Sequence, residues 1–183
     1  MKATKFLFLL SCVVSLFVYT SCDKIEEAAT IKVPVSDFSL DIPAMVQSSG
    51  LKSTAAPNHF SGSGSLDIND ENFSNLKKNQ SFITSIVIGT VSIKVTSSSG
   101  TFAENITLSS PGIGNCVVKK FDFNKNFNSP ELAAFATKVF QKLKDAGAVT
   151  VSIVGDTDAQ AGENLKISLF FGNIEIKAKV VEL

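Results

Sequence analysis

The sequence predicts a mainly β protein: an antiparallel β-sandwich or a strongly curved sheet, with one amphipathic helix at about 129–146. Three observations predict it. From Ile31 onward, apolar and polar residues alternate through most of the chain, the two-residue period of half-buried strands. Clusters of Gly, Asn, Ser and Pro break that alternation at short intervals, as turns between strands do. One stretch alone changes to three- and four-residue spacing. The tally is roughly seven to nine strands, one good helix and no internal repeat.

Taken in order, Ile31, Val33 and Val35 are apolar at odd positions, and Phe38, Leu40 and Ile42 at even ones. A one-residue slip turns a strand's apolar set outward, so the chain must bulge or change sheets near Pro34 to Asp37. Gln47 to Asn58 reads as a polar loop. Phe60, Gly62, Gly64, Leu66 and Ile68 then alternate with Ser61, Ser63, Ser65 and Asp67; the glycines weaken this strand and permit close backbone approach. Asn69 to Asn79 suits a short helical turn carrying Phe73 and Leu76. Phe82 to Val95 is the most β-prone stretch. Its Ile86-Val87-Ile88 run is apolar on both faces, which predicts a central strand.

Ser97-Ser98-Ser99-Gly100 is a turn, with Phe102, Ile106 and Leu108 on the return strand. Pro111-Gly112-Ile113-Gly114 is another, and Val117, Phe121 and Phe123 are expected on one face of the strand that follows. Ser129 suits an N-cap, Pro130 the first helical position and Glu131 the positive end of a helix. Leu132, Phe135, Ala136, Val139, Phe140 and Leu143 make one apolar stripe, and Gly147 suits the residue after the helix. Val149 to Val154 is a further strand. Gly172-Asn173 reads as a two-residue hairpin turn that opposes Phe171 with Ile174, Leu169 with Ile176, Ile167 with Ala178 and Leu165 with Val180. Phe170 then points to the wet face, against the helix, a ligand or a partner.

The N-terminus has a different grammar. Lys2 and Lys5 form a basic start, Phe6 to Val18 a short apolar run, and Tyr19-Thr20-Ser21 a step into Cys22. A membrane-spanning helix needs about 20 apolar residues, more than this run supplies, and the polar Asp23-Lys24-Ile25-Glu26-Glu27 follows it. The order is that of an export signal. A cysteine at the cut site resembles the lipobox of bacterial lipoproteins. That resemblance covers residues 1–27 and implies cleavage before Cys22 and a diacylglyceryl thioether on its sulfur, often followed by an N-acyl chain such as palmitate. The expected organisation is a signal peptide at 1–21, an acidic tether at 22–30 and one globular domain at 31–183. The expected location is the bacterial cell envelope, as an outer-membrane lipoprotein facing the periplasm or the surface.

Losing residues 1–21 removes Lys2 and Lys5 and leaves 15 lysines against 17 acidic groups. That balance is no electrostatic footprint for nucleic acid. All 17 basic residues are Lys, which disfavours the bidentate grip on phosphate or carboxylate that Arg provides. Cys12 leaves with the leader and Cys22 is the anchor, so Cys116 has no intramolecular disulfide partner and is expected to be buried and inert.

No P-loop, Gly-x-Ser-x-Gly, His-Glu-x-x-His or paired-cysteine motif is present, and no cofactor is implied. His59, the only histidine, lies in a polar stretch and is expected at the surface. Two acidic clusters remain. Asp67, Asn69, Asp70 and Glu71 form one, and Asp156, Asp158 and Glu163 the other, which is the weak cation candidate. The mature chain keeps 12 of the 15 Phe and neither Trp nor Tyr, a composition suited to a dry core rather than a sugar-stacking surface. The expected role is therefore that of a membrane-anchored, non-enzymatic envelope module with a structural or accessory binding task and an envelope protein as partner. A carrier of a lipid or other apolar ligand is the alternative, and a carboxylate-based hydrolase the second alternative.

Overall fold

A computed structural model describes residues 30–50 and 57–179. Among these residues eight strands form one antiparallel sheet: β1 (Thr30–Val33), β2 (Phe38–Gln47), β3 (Asn58–Asp67), β4 (Ile83–Thr96), β5 (Phe102–Ser110), β6 (Gly114–Asp122), β7 (Ala148–Thr157) and β8 (Asn164–Lys179). The sheet runs β4, β8, β2, β3, β7, β5, β6, with β1 continuing the line of β2 along β8. It curls into a half-barrel. The curved-sheet form of the predicted fold is the one adopted. After β6 the chain returns to the far side of β4, where Ile93 and Phe127 exchange two 2.8 Å backbone hydrogen bonds.

Two helices complete the fold among the described residues. The short α1 (Ser74–Lys78) sits between 3-10 turns at Glu71–Phe73 and Gln80–Phe82, and Phe73 and Leu76, expected on a short helical turn here, are both buried in this segment. The long α2 (Pro130–Ala146) begins at Ser129, whose Oγ accepts from the Leu132 N–H, and ends at Gly147, which takes φ 77°. All six residues of the predicted stripe are buried. They pack on β4, β7 and β6, so the helix fills the concave side of the sheet. Phe38, Phe73, Phe140 and Phe171 cluster there with ring centroids 4.9–6.0 Å apart.

The bend of the sheet has a local cause. β4 buries Ile86 and Ile88, then Val91, Ile93 and Val95. β8 buries Leu165, Ile167, Leu169 and Phe171, then Ile176 and Ala178. β1 buries Val33, and β2 buries Leu40, Ile42, Ala44 and Val46. Each strand changes inward phase at the same level, and pairing survives because the partners change together: Val91 and Phe38 both face Phe171, while Val33 faces Ile176. Asn173 takes φ 51° at this step. Its N–H donates to Asp37 Oδ1 at 3.0 Å and its Nδ2 to Thr90 Oγ1 at 2.8 Å, which ties three segments together at the bend. The phase slip expected near Pro34 to Asp37 is this feature, but the chain neither bulges nor changes sheets there: Val33 pairs with Ile176 and Phe38 with Phe171, so both sides advance equally and the partner strand slips with it. A second shared step lies in β5 and β6, where Asn105 takes φ 50°.

Three expectations need correction. Gly172-Asn173 is not a hairpin turn: β8 runs straight through it. A phase switch within a strand and a fold-back about a turn give the same apolar pattern, and here β4 occupies one edge of β8 and β1 with β2 the other. Ile174 thus faces Ile88, not Phe171. β4 is an edge strand rather than a central one, and Val87 on its outer face is 51% exposed. Val117 is 65% exposed, while Cys116 and Val118 share the buried face with Phe121 and Phe123. Phe170 is half-buried on the outer face, where its ring lies over the backbone of Gly172.

Candidate functional site

The antiparallel register of β3 and β7 sets His59 directly opposite Asp156. Side chains on paired residues project from the same face, here the outer one. His59 Nδ1 and Asp156 Oδ1 are 2.5 Å apart, and Asn105 Nδ2 donates to Asp156 Oδ2 at 2.8 Å. Asp156 thereby holds the imidazole in one orientation, while the His59 side chain stays 61% exposed. The three residues line an open hollow of about 260 Å³ together with Gln47, Ser61 and Val154. An oriented, solvent-facing imidazole can accept or donate one hydrogen bond to a ligand. Surface placement is what the sequence predicts for His59. Its pairing with Asp156 depends on strand register, and the role of Asn105 on its positive φ; neither has a signal in local composition.

The cation candidates do not converge. Asp156 is held by His59 and Asn105. Asp158 Oδ1 accepts from the backbone N–H groups of Thr101 and Phe102 at 2.8 and 3.1 Å, and its Oδ2 accepts from Thr101 Oγ1 at 2.5 Å. Glu163 Oε1 accepts from Ser97 Oγ at 2.9 Å, Ser98 N at 2.6 Å and Ser98 Oγ at 3.0 Å, and Ser99 Oγ donates to its Oε2. Desolvation pushes both carboxyls up, but these donors outweigh it and hold both down, Glu163 at about 2. Glu163 thus pins the β7–β8 connection to the β4–β5 connection, and Asp158 ties the same connection to the start of β5. Among the described residues, no three His, Cys, Asp or Glu side chains gather into a group that could hold a metal ion.

The first acidic cluster is turn chemistry. Asp67 Oδ1 accepts from Asn69 N and Nδ2 at 2.8 and 2.7 Å, and Lys77 Nζ donates to Asn69 Oδ1 at 2.8 Å. Cys116 is a buried free thiol; burial pushes it up, and Glu131 acts in the same direction. That setting disfavours the reactive thiolate. Cys22, the predicted lipid attachment, lies outside the described residues, as do the leader and all but the last residue of the tether.

The chain matches no family model, no curated protein and no solved structure.

Proposed function

We propose that this chain is an envelope lipoprotein: it is exported, cut before Cys22 and held to a membrane by acyl chains on that residue. Its β-rich domain serves as a structural or accessory binding module. The carrying observation is Cys22 at the end of a basic, then apolar, then small-residue leader. One acyl chain gives only marginal membrane binding, and two or three make it effectively permanent. Among the described residues no helix is long and apolar enough to cross a membrane.

The domain's packing favours the module over the apolar carrier. A carrier needs open space beneath the curled sheet. In this domain α2 and the cluster of four Phe rings fill that concavity. The hydrolase reading gains no support, because the donors around Asp156, Asp158 and Glu163 orient them separately.

Intact-mass analysis of native protein and of Cys22→Ala tests the anchor. The native mass is expected to match a chain starting at Cys22 plus a diacylglyceryl group and an acyl chain. The variant is expected to lose the lipid. A bare Cys22, or a native mass that retains residues 1–21, refutes the reading.

A further inference from the structure

We infer that the end of the sheet built by β1, the last residues of β8 and the start of β4 rests on the phospholipid bilayer, with Phe82 and Ile31 at the apolar boundary and lysines among the headgroup phosphates. The inference rests on the lipid anchor proposed above and adds an orientation and a contact surface to it.

Chain length brings this end to the membrane. Thr30 follows Cys22 by eight residues, and an extended chain spans at most about 3.3–3.6 Å per residue, so Thr30 stays within roughly 30 Å of the anchored sulfur. Strand direction decides what else is there. Thr30 pairs with Lys179, and Ile31 and Ile83 both pair with Ala178. The start of β1, the end of β8 and the start of β4 therefore share one pole. The opposite end of β8, Asn164, lies roughly 50 Å away along the strand at 3.2–3.4 Å per residue.

The chemistry of the pole suits an interface. Phe82, in the turn entering β4, is 42% exposed, and Ile31 is 46% exposed. Lys177 and Lys179 are exposed on the outer face of β8 and Lys78 at the end of α1. Two further lysines there have acidic partners: Lys32 with Glu175 at 3.5 Å and Lys144 with Asp145 at 2.8 Å. Long lysine stems beside an exposed aromatic ring let the apolar atoms enter the headgroup layer while the ammonium groups stay with phosphate. Asp23, Glu26 and Glu27 of the tether offset part of that attraction, so the apolar pair is the main contact.

The absence of Trp from the chain provides a clean probe. Full-length protein carrying Phe82→Trp, purified from membranes, is reconstituted into vesicles of phosphatidylethanolamine and phosphatidylglycerol, with and without brominated acyl chains. Val154→Trp, on the outer face near the opposite pole, serves as the reference; Val154 is 49% exposed. Intact mass establishes the acyl groups in each sample. The expected result for Phe82→Trp is a blue-shifted indole emission quenched by brominated lipid, while the emission of Val154→Trp stays unquenched. Acylated, vesicle-bound Phe82→Trp protein with unquenched emission overturns the orientation and leaves the anchor standing. Equal quenching in the two variants overturns it too, since the domain then lies flat. An indole at position 82 that is shielded from acrylamide but not quenched by brominated lipid overturns the bilayer contact, since protein and not lipid then covers it. A bare Cys22 removes the anchor and the inference with it.

Discussion

Glu163 shows how much one carboxylate can hold. It receives donors from three consecutive serines at the β4–β5 connection, and its backbone carbonyl ties the β7–β8 connection to Val46 through a 2.9 Å hydrogen bond. Its carboxyl lies at about 2 against an ordinary 4.5. A depressed folded-state value contributes stability above the unfolded value, which is lost as pH falls from 4.5 toward 2. Hydrogen bonds to a charged group are worth about 1.5–3 kcal/mol, and partial exposure reduces that. Glu163→Gln should therefore cost about 1–2 kcal/mol at pH 7, read from urea midpoints, and the gap to wild type should narrow as pH falls toward 2. A constant gap would show that the charge is not what Glu163 contributes. The sequence groups Asp156, Asp158 and Glu163 because they lie close in the chain. Proximity in sequence does not reveal direction, and each side chain turns to a different set of donors.

At the scale of elements, β3 makes the sharpest case. Its glycines are legible in the sequence as sites of close approach, and the two differ in what they approach. A Cβ on Gly62 would overlap the Pro43 carbonyl oxygen and lie 2.9 Å from Ala44 Cβ, so backbone must move. A Cβ on Gly64 would meet side-chain atoms of Ile42 and Leu40 at 3.0 and 3.1 Å and the Asp41 carbonyl oxygen at 3.3 Å, contacts that a shift of a few tenths of an ångström relieves. Gly62→Ala should cost about 2–4 kcal/mol and Gly64→Ala about 1 kcal/mol or less, measured by chemical denaturation. Equal costs would mean that the β2–β3 pair is slack enough to absorb either methyl. The helix α2 is readable in full, because cap, stripe and stop are all local signals. The Gly172-Asn173 step of β8 is not, because alternation reports which residues share a face, not whether the strand continues.

The whole molecule depends on β8. It pairs with β1 and β2 on one side and β4 on the other, so three early strands share a neighbour that comes last in the chain order of the described strands. Pairing across such sequence separation is slow, because loop closure is costly before the contacts form. A chain ended at Glu163 leaves β2 and β4 each without their shared neighbour. Its melting curve by circular dichroism should lose the cooperative transition. A sharp transition in that truncated chain would show that β3, β7, β5, β6 and α2 fold as an independent unit.

The amino-acid order alone settled the β class, the boundaries of α2 and the presence of a phase slip near Pro34 to Asp37, because period, caps and turn residues act over a few positions. Neither strand order nor the choice of a curled sheet over a sandwich could come from it. β4 became an edge, His59 met Asp156, and one bend crossed neighbouring strands because partners from distant segments changed phase together. Those outcomes depend on register between strands, and register is a property of pairs rather than of any one segment.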